Sequence, residues 1–403
     1  MNDSVQAAHM PLAVVAGDIS MIRALGLRGI PVALATAQTD APMTRSRYCR
    51  DLIPIPGWVE DPEGSLQALL DWARRQPVKP VLFYQGDHDM IAVSRDRERM
   101  AQAFHFVLPS AFLVEALSDK FQFADLALER GLPVPRTLRL HRGEDYAQRL
   151  RDWDSFPAVL KPSMRTNWFE RVGNNQKALR VEDRGSLDAI LRQIGDNDLD
   201  LLIQAAVEGG EEQIVSYHAY VRADGSTAAE FSGRKVRTAP RLYGISSHVA
   251  ITDDAQVLAL GRSVVQSLGF TGVLKIDFKI DVRDGKLYIL EINPRFNLWH
   301  HPGTVAGVPI PELVYRDCVD GVQASAAPLR VRRAGVRWVE PMLDRKAMHE
   351  YRRAGELSFG RWLVQLLTVD VNEGINWRDP APGLVFLATR VRNRLMRWVG
   401  KPG

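Results

Sequence analysis

The sequence predicts a mixed α/β protein of several lobes: a parallel α/β layer first, an antiparallel-sheet lobe later, and a basic C-terminal extension. Three observations carry this. Leu12–Ala16, Gly17-Asp18, Ile19–Arg28 and Pro31–Ala35 read as strand, turn, helix and strand, the opening of a parallel α/β layer. Gly272 to Phe296 (GVLKIDFKIDVRDGKLYILEINPRF) reads as two apolar strands around Arg283-Asp284-Gly285, where glycine supplies the left-handed conformation of a short hairpin loop. At 403 residues the chain is too long for one ordinary core, so about two to four domains or lobes are expected.

Gly29 stops the first helix. No G-x-G-x-x-G follows the first strand, so no dinucleotide site is read there. Arg45-Ser-Arg-Tyr-Cys49 reads as surface loop, with ligand contact as the alternative. Leu66–Arg75 is a helix and Val81–Tyr84 a buried strand, followed by Gln85-Gly86-Asp87-His88-Asp89 as a loop. Loops after strand C-termini line the ligand crevice of open α/β sheets, which makes Asp87 and His88 candidates. Ser118 is the expected N-cap of a helix Lys120–Glu129, stopped by Gly131. Lys120 in the first turn opposes the helix dipole, a local conflict that a function would explain.

Phe156–Pro162 is a strand ending in Lys161, which either snorkels or binds an anion. Ser163–Lys177 (SMRTNWFERVGNNQK) suits a flap over phosphates with Arg165 as a donor; an ordinary hairpin loop is the alternative. Leu199–Ala206 (LDLLIQAA) is a strand leading into Val207–Glu212. Val215–Val221 and Ala228–Ser232 pair across Asp224-Gly225, and Gly233-Arg234-Lys235-Val236-Arg237 follows. Those bases form either an anion site or a solvated edge. Ala255–Leu268 is a helix ended by Gly269.

In the hairpin, a loop at Arg283–Gly285 pairs Val282 with Lys286, Ile280 with Tyr288, Phe278 with Leu290 and Ile276 with Ile292. Together with Leu274 this makes one face apolar. On the other, Asp277 falls opposite Glu291, with Asn293 two residues on. Facing carboxylates repel by some tenths of a kcal/mol or more. A hard cation between them removes that cost, and Asp, Glu and an Asn carbonyl are donors that Mg²⁺ prefers, its shell completed by water and phosphate. Spacing alone leaves a second reading, a solvated face neutralised by Lys275 and Lys279.

Beyond the hairpin, Trp299-His300-His301-Pro302-Gly303 reads as loop; the histidine pair matches no standard metal spacing. Pro311–Cys318 is a helix, and Gln323–Pro328 a linker. Gly383–Val399 places Leu384, Leu387, Val391, Leu395 and Trp398 at helical spacing, with Arg390, Arg392, Arg394 and Arg397 between them. Its apolar face is expected to pack on the body and to leave little lipid binding; docking on an anionic membrane surface is the alternative. From Leu329 to Gly403 there are 15 Lys/Arg against 7 Asp/Glu, an excess of +8 in a chain of net +4. The basic character therefore belongs to the extension, and nucleic acid is not an expected partner of the remaining body, which is net acidic. No stretch approaches the roughly 18 apolar residues of a membrane span, and the N-terminus lacks a secretory pattern. Two distant cysteines, Cys49 and Cys318, imply neither a disulfide framework nor a zinc site, which fits a reducing cytoplasm.

Taken together, Ser118-Asp119-Lys120, Leu160-Lys161-Pro162, Leu202-Ile203-Gln204…Gly209-Gly210, Gly233–Arg237 and Asp277…Glu291-Ile292-Asn293-Pro294-Arg295 resemble, in that order, the ATP-grasp superfamily and its carboxylate–amine ligase branch, over about residues 10 to 325. The resemblance implies an N-terminal pre-ATP-grasp domain (1–115), a small lid lobe (116–206), an antiparallel-sheet lobe holding Mg-ATP (207–325) and the extension (326–403). It implies that Lys120 and Lys161 contact the α- and β-phosphates, that Ile203, Gln204, Ala205 and Ala206 form the hinge at the adenine edge, and that Glu211 or Glu212 holds the ribose. Asp277, Glu291 and Asn293 would bind two Mg²⁺ ions, with Mn²⁺ as a substitute. Arg295, Lys235 and Arg237 would face the γ-phosphate and an acyl phosphate. The implied reaction phosphorylates a small-molecule carboxylate with ATP, then lets an amine displace the phosphate to form an amide, releasing ADP and phosphate. Substrate-specific loops would include Asp87, His88, Arg165 and Asn297 to His301. Two departures stand out: Ala205 where many relatives have Glu, and a flap carrying Trp168 and Phe169 in place of glycines. The rival readings are a carboxylase or other acyl-phosphate transferase on the same fold, and a non-catalytic nucleotide-binding or membrane-docked module. Oligomeric state is left open.

Overall fold

The computed structural model describes residues 10–162, 178–194, 199–322 and 327–399. The expected flap, with Arg165, Trp168 and Phe169, lies outside the described residues, as does most of the expected linker.

Apolar strands β1 (Ala13–Ala16), β2 (Val32–Thr36), β3 (Cys49–Pro54) and β4 (Val81–Tyr84) form a parallel sheet in the order β3-β2-β1-β4. Helices α1 (Ile19–Gly26) and α2 (Pro62–Ala73) connect them. β1, β2 and β4 are buried throughout, the signature of a sheet covered on both faces. The expected loop after β4 is instead the first turn of α3 (Asp87–Arg95): the Asp89 carboxylate accepts from the N–H groups of Gln85 and Gly86, both at 3.0 Å, and so starts the helix at once.

Next come α4 (Ala111–Ser118) and α5 (Lys120–Glu129). Ser118 closes α4, and Asp119 is the cap of α5, accepting from Phe121 and Gln122 N–H at 2.9 and 2.8 Å. Both residues are cap formers; the carboxylate one place nearer the helix takes the role expected of Ser118. The small antiparallel lobe follows, in the order β5 (Thr137–Leu140), β8 (Leu201–Ala205), β6 (Ala158–Pro162), β7 (Leu179–Val181). Helix α6 (Arg184–Ile194) covers it, and Leu140, Leu160, Leu201 and Ile203 form its core.

The largest sheet has seven strands in the order β13-β12-β9-β10-β11-β14-β15. They are β9 (Ile214–Val221), β10 (Thr227–Ala239), β11 (Ile245–Thr252), β12 (Gly272–Ile280), β13 (Leu287–Asn293), β14 (Arg337–Val339) and β15 (Val371–Asn372). Helix α7 (Ala255–Leu268) packs on one face, capped by Asp254 and ended by Gly269 in the left-handed conformation, as the sequence predicts.

Two bulges alter the expected registers. In the hairpin the inner pairs hold: Ile276 opposes Ile292 and Asp277 opposes Glu291. One step outward Phe278 opposes Ile289, not Leu290, because Leu290 is an extra residue on β13. The loop is correspondingly one residue longer, closed by Asp281 N–H to Lys286 O at 2.9 Å, with Gly285 at φ 70°. In β10, Lys235 opposes Val249 and Arg237 opposes His248, which makes Val236 the extra residue. The predicted strand Ala228–Ser232 therefore continues through the basic cluster, paired with β11.

After α8 (His300–Val305) and α9 (Ile310–Val319), the C-terminal extension is part of the body. It supplies β14 and β15, then α10 (Pro341–Arg353), α11 (Phe359–Leu367) and α12 (Ala381–Val399). Arg23 of α1, fully buried, pairs with Glu373 at 3.3 Å and Asp379 at 3.0 Å. The expected loop at His300 and His301 is helical and buried: His300 packs against Phe296 and His218, burial pushing its pKa down to about 3, and His301 meets Glu373 at 2.9 Å. The expected packing of the apolar stripe of α12 on the body is not met. Leu384, Leu387 and Val391 are exposed, and the body is approached from the side of Pro382, Val385 and Thr389. Among the described residues no helix is long and apolar enough to cross a membrane.

Candidate active site

A cleft of about 450 Å³ opens between the small lobe and the hairpin face of the large sheet. Its apolar end is made by Val159, Leu202, Ile214, Leu290 and Ile292, with Phe123 and Val134 from the α5 region. Leu290 is there because of the bulge: Ile289 takes the core position, fully buried, and Leu290 turns to the cleft. Gln204, Ala205 and Ala206 at the end of β8 also line it. Gln204 is held at both ends, accepting from Lys161 Nζ at 2.9 Å and donating to Thr137 Oγ1 at 2.9 Å.

The polar end gathers lysines around two carboxylates. Lys120, Lys161, Lys235, Lys279, Asp277, Glu291 and Asn293 all line it. The α5 start aims Lys120 across the cleft mouth, where Nζ donates to the Pro162 carbonyl at 2.7 Å. Burial lowers the pKa of Lys161 to about 8, with Glu291 opposing that shift and Lys120 adding to it. Lys235 also suffers burial, but Asp277, Glu291 and Glu211 outweigh it and raise its pKa. Asp277 is almost fully buried; burial alone would raise its pKa, but Lys235 at 3.2 Å and Lys275 at 2.7 Å hold the carboxyl well below the usual carboxylate range. Ser216 donates to its second oxygen.

Glu291 is exposed to the cleft and accepts from Asn293 Nδ2 at 3.1 Å. This donor set is all oxygen, two carboxylates and an amide, on adjacent strands. Among the described residues no three His, Cys, Asp or Glu side chains gather as a metal cluster. The residues therefore fit a hard cation that brings phosphate oxygens with it, and do not fit an ion needing a full protein cage.

The remaining expected site residues divide. Glu211 lines the cleft near Thr238, burial raising its pKa, while Glu212 is exposed and turned outward. Ile203 lends its side chain to the small-lobe core. Arg295 does not itself line the cleft; it stands beside it, paired with the lining residue Asp87 and donating to the Gln85 carbonyl at 2.9 Å. His88 is exposed and does not line the cleft; nor do Asn297, His300 and His301, which are buried. The largest correction is Arg237. The Val236 bulge sends it to the face opposite Lys235, where Asp344 of α10 takes it in two bonds of 2.8 Å, beside His248 at 2.6 Å.

Two lining residues, Arg180 and Tyr243, escaped the sequence reading; a third, Lys279, enters it as one of the lysines that could neutralise the facing carboxylates. Lys279 approaches Glu211, and burial lowers its pKa. Arg180 reaches in from β7, paired with Glu208 at 2.7 Å. Tyr243 has φ 57°, in the left-handed region that non-glycine residues avoid, and packs on Val159, Ala178 and Ala206. The turn residues Pro240 and Gly244 around Tyr243 were the available signal.

No family model matches the chain. It is similar to a D-aspartate ligase of Enterococcus faecium (strain Aus0004), 25% identical over 276 residues, 66% of this chain; the chain spans only 65% of that protein's length. It also superposes on an N5-carboxyaminoimidazole ribonucleotide synthetase solved as an ADP complex, with a TM-score of 0.57, 15% identity and coverage of 82% of this chain and 81% of that one. An L-amino acid ligase from Bacillus licheniformis gives a TM-score of 0.58 at 15% identity, over 78% and 75% of the two chains. The chain therefore shares the fold of these two enzymes.

Proposed function

We propose that this chain is an ATP-dependent carboxylate–amine ligase. The observation that carries the reading is the polar part of the cleft: lysines from four elements of two lobes, Lys120 of α5, Lys161 of β6, Lys235 of β10 and Lys279 of β12, line it together with Glu291 and Asn293, beside apolar side chains. Such a site suits a planar base at one end and a polyphosphate at the other.

In this reading Gln204, Ala205 and Ala206 border the base and Glu211 the ribose. Lys120 and Lys161 meet the α- and β-phosphates. Asp277, Glu291 and Asn293 would hold Mg²⁺, which would supply positive charge beside the transferring phosphoryl group. Lys235, with Arg295 beside the cleft, faces the γ-phosphate. A substrate carboxylate oxygen attacks the γ-phosphorus and ADP leaves. An amine then attacks the acyl carbon, phosphate departs, and the amine loses a proton. The ligase named as a sequence relative supports amino acids as the substrate class.

The test is ADP release with amino acid pairs, with and without Mg²⁺. ADP and phosphate should appear only when carboxylate and amine are both present, and Glu291→Ala should abolish release while the chain still melts cooperatively. Release driven by bicarbonate would favour the carboxylase reading that the carboxyaminoimidazole neighbour suggests; unchanged turnover in Glu291→Ala would sink the metal assignment.

A further inference from the structure

We propose that the outward face of α12 docks the protein on an anionic lipid bilayer. The inference does not depend on the ligase reading. Of the 20 large apolar side chains exposed among the described residues, half fall between Phe359 and Val391, a small part of the chain. On α12 the distribution is inverted relative to an ordinary surface helix: Pro382, Val385 and Thr389 face the body, while Leu384, Leu387 and Val391 face away. Trp377, just before the helix, is 89% exposed. An aliphatic stripe with a neighbouring indole is the composition that partitions into the headgroup boundary.

The charge around the stripe selects the partner. Arg361, Arg378, Arg390 and Arg392 are exposed. Every carboxylate in the same stretch is engaged elsewhere: Asp370 with Arg333, Glu373 with Arg23 and His301, Asp379 with Arg23 and Ser46. Within this stretch the surface is therefore apolar and basic, each of its three carboxylates already paired. A second copy would set the same arginines against one another across a two-fold axis, whereas anionic headgroups neutralise them.

Flotation of the full chain decides this. With vesicles of phosphatidylcholine and phosphatidylglycerol, at least about tenfold more protein should float than with phosphatidylcholine alone, and about 1 M salt should reverse it. Leu384→Ser, Leu387→Ser and Val391→Ser combined should abolish flotation with melting temperature and ATP turnover unchanged. Arg392→Gln, a fully surface change, should weaken flotation severalfold and keeps the test valid if the triple variant misfolds. Equal flotation on both vesicle types, flotation unaffected by these variants, or a concentration-dependent dimer that the triple variant dissolves would each overturn the proposal.

Discussion

β10 and β13 each carry a bulge beside the cleft, at Val236 and Leu290, and the two bulges act in opposite directions on it. In β13 the insertion brings Leu290 in, closing the apolar end of the slot. In β10 the insertion takes Arg237 out, from beside Lys235 to a buried pair with Asp344. A strand alternates strictly, so one added residue exchanges the faces of everything beyond it. The ligand face of this sheet is thus composed of residues that a straight reading of either strand assigns wrongly on one side. It also divides labour between neighbours: Lys235 belongs to the cleft, and Arg237 fastens α10 to the sheet.

The sharpest test of that division is to remove each cation in turn. Lys235→Met is expected to lower turnover by about 10²–10³-fold, the loss typical of one charge-stabilising donor, and to cost less in urea unfolding than the loss of Arg237, because Lys275 and Ser216 stay on Asp277. Arg237→Met should do the reverse, costing about 3–5 kcal/mol in urea unfolding by stranding the fully buried Asp344, with turnover per folded molecule nearly intact. A stable Arg237→Met with lost turnover would return that arginine to the site. The β13 bulge makes a parallel pair at smaller amplitude. Ile289→Ala should cost about 2–4 kcal/mol of stability. Leu290→Ala should leave stability near wild type and weaken ATP binding by about tenfold, or about 1.4 kcal/mol, in calorimetry. Equal stability losses in the two would mean that Leu290 is a core residue. The mildest effect is on pH dependence. The Lys161 ammonium, with its pKa lowered to about 8, loses its proton as pH rises through that value, so ATP affinity should fall on the alkaline side, by about tenfold at about pH 9. Binding near pH 8 should take up a proton, seen as a buffer-dependent heat that disappears in Lys161→Met.

Much of this was legible because the signals were local. Ala255–Leu268 declares its end with Gly269; Asp277 and Glu291 lie on the inner pairs of the hairpin, before the bulge intervenes. The helix Lys120–Glu129 and the strand Val81–Tyr84 follow from apolar patterning and flanking turn residues. What was not legible depends on distant partners. No composition marks Val236 as an extra residue; its role is set by the pairing of β10 with β11. His300 and His301 resemble a polar loop until Phe296, His218 and Glu373 enclose them. The α12 stripe shows the converse: periodicity correctly gives the helix, but cannot say which side the rest of the protein will cover.

The pairing of Arg23 with Glu373 and Asp379 has a consequence for the order of synthesis. The arginine leaves the ribosome 356 residues ahead of Asp379, which its guanidinium meets in the finished protein. Until the last part of the chain emerges, the first helix holds a guanidinium with neither of its carboxylates, so the N-terminal layer cannot reach its final form early. A nascent chain stalled before Glu373 should expose α1 to protease, and release of the remaining residues should protect it.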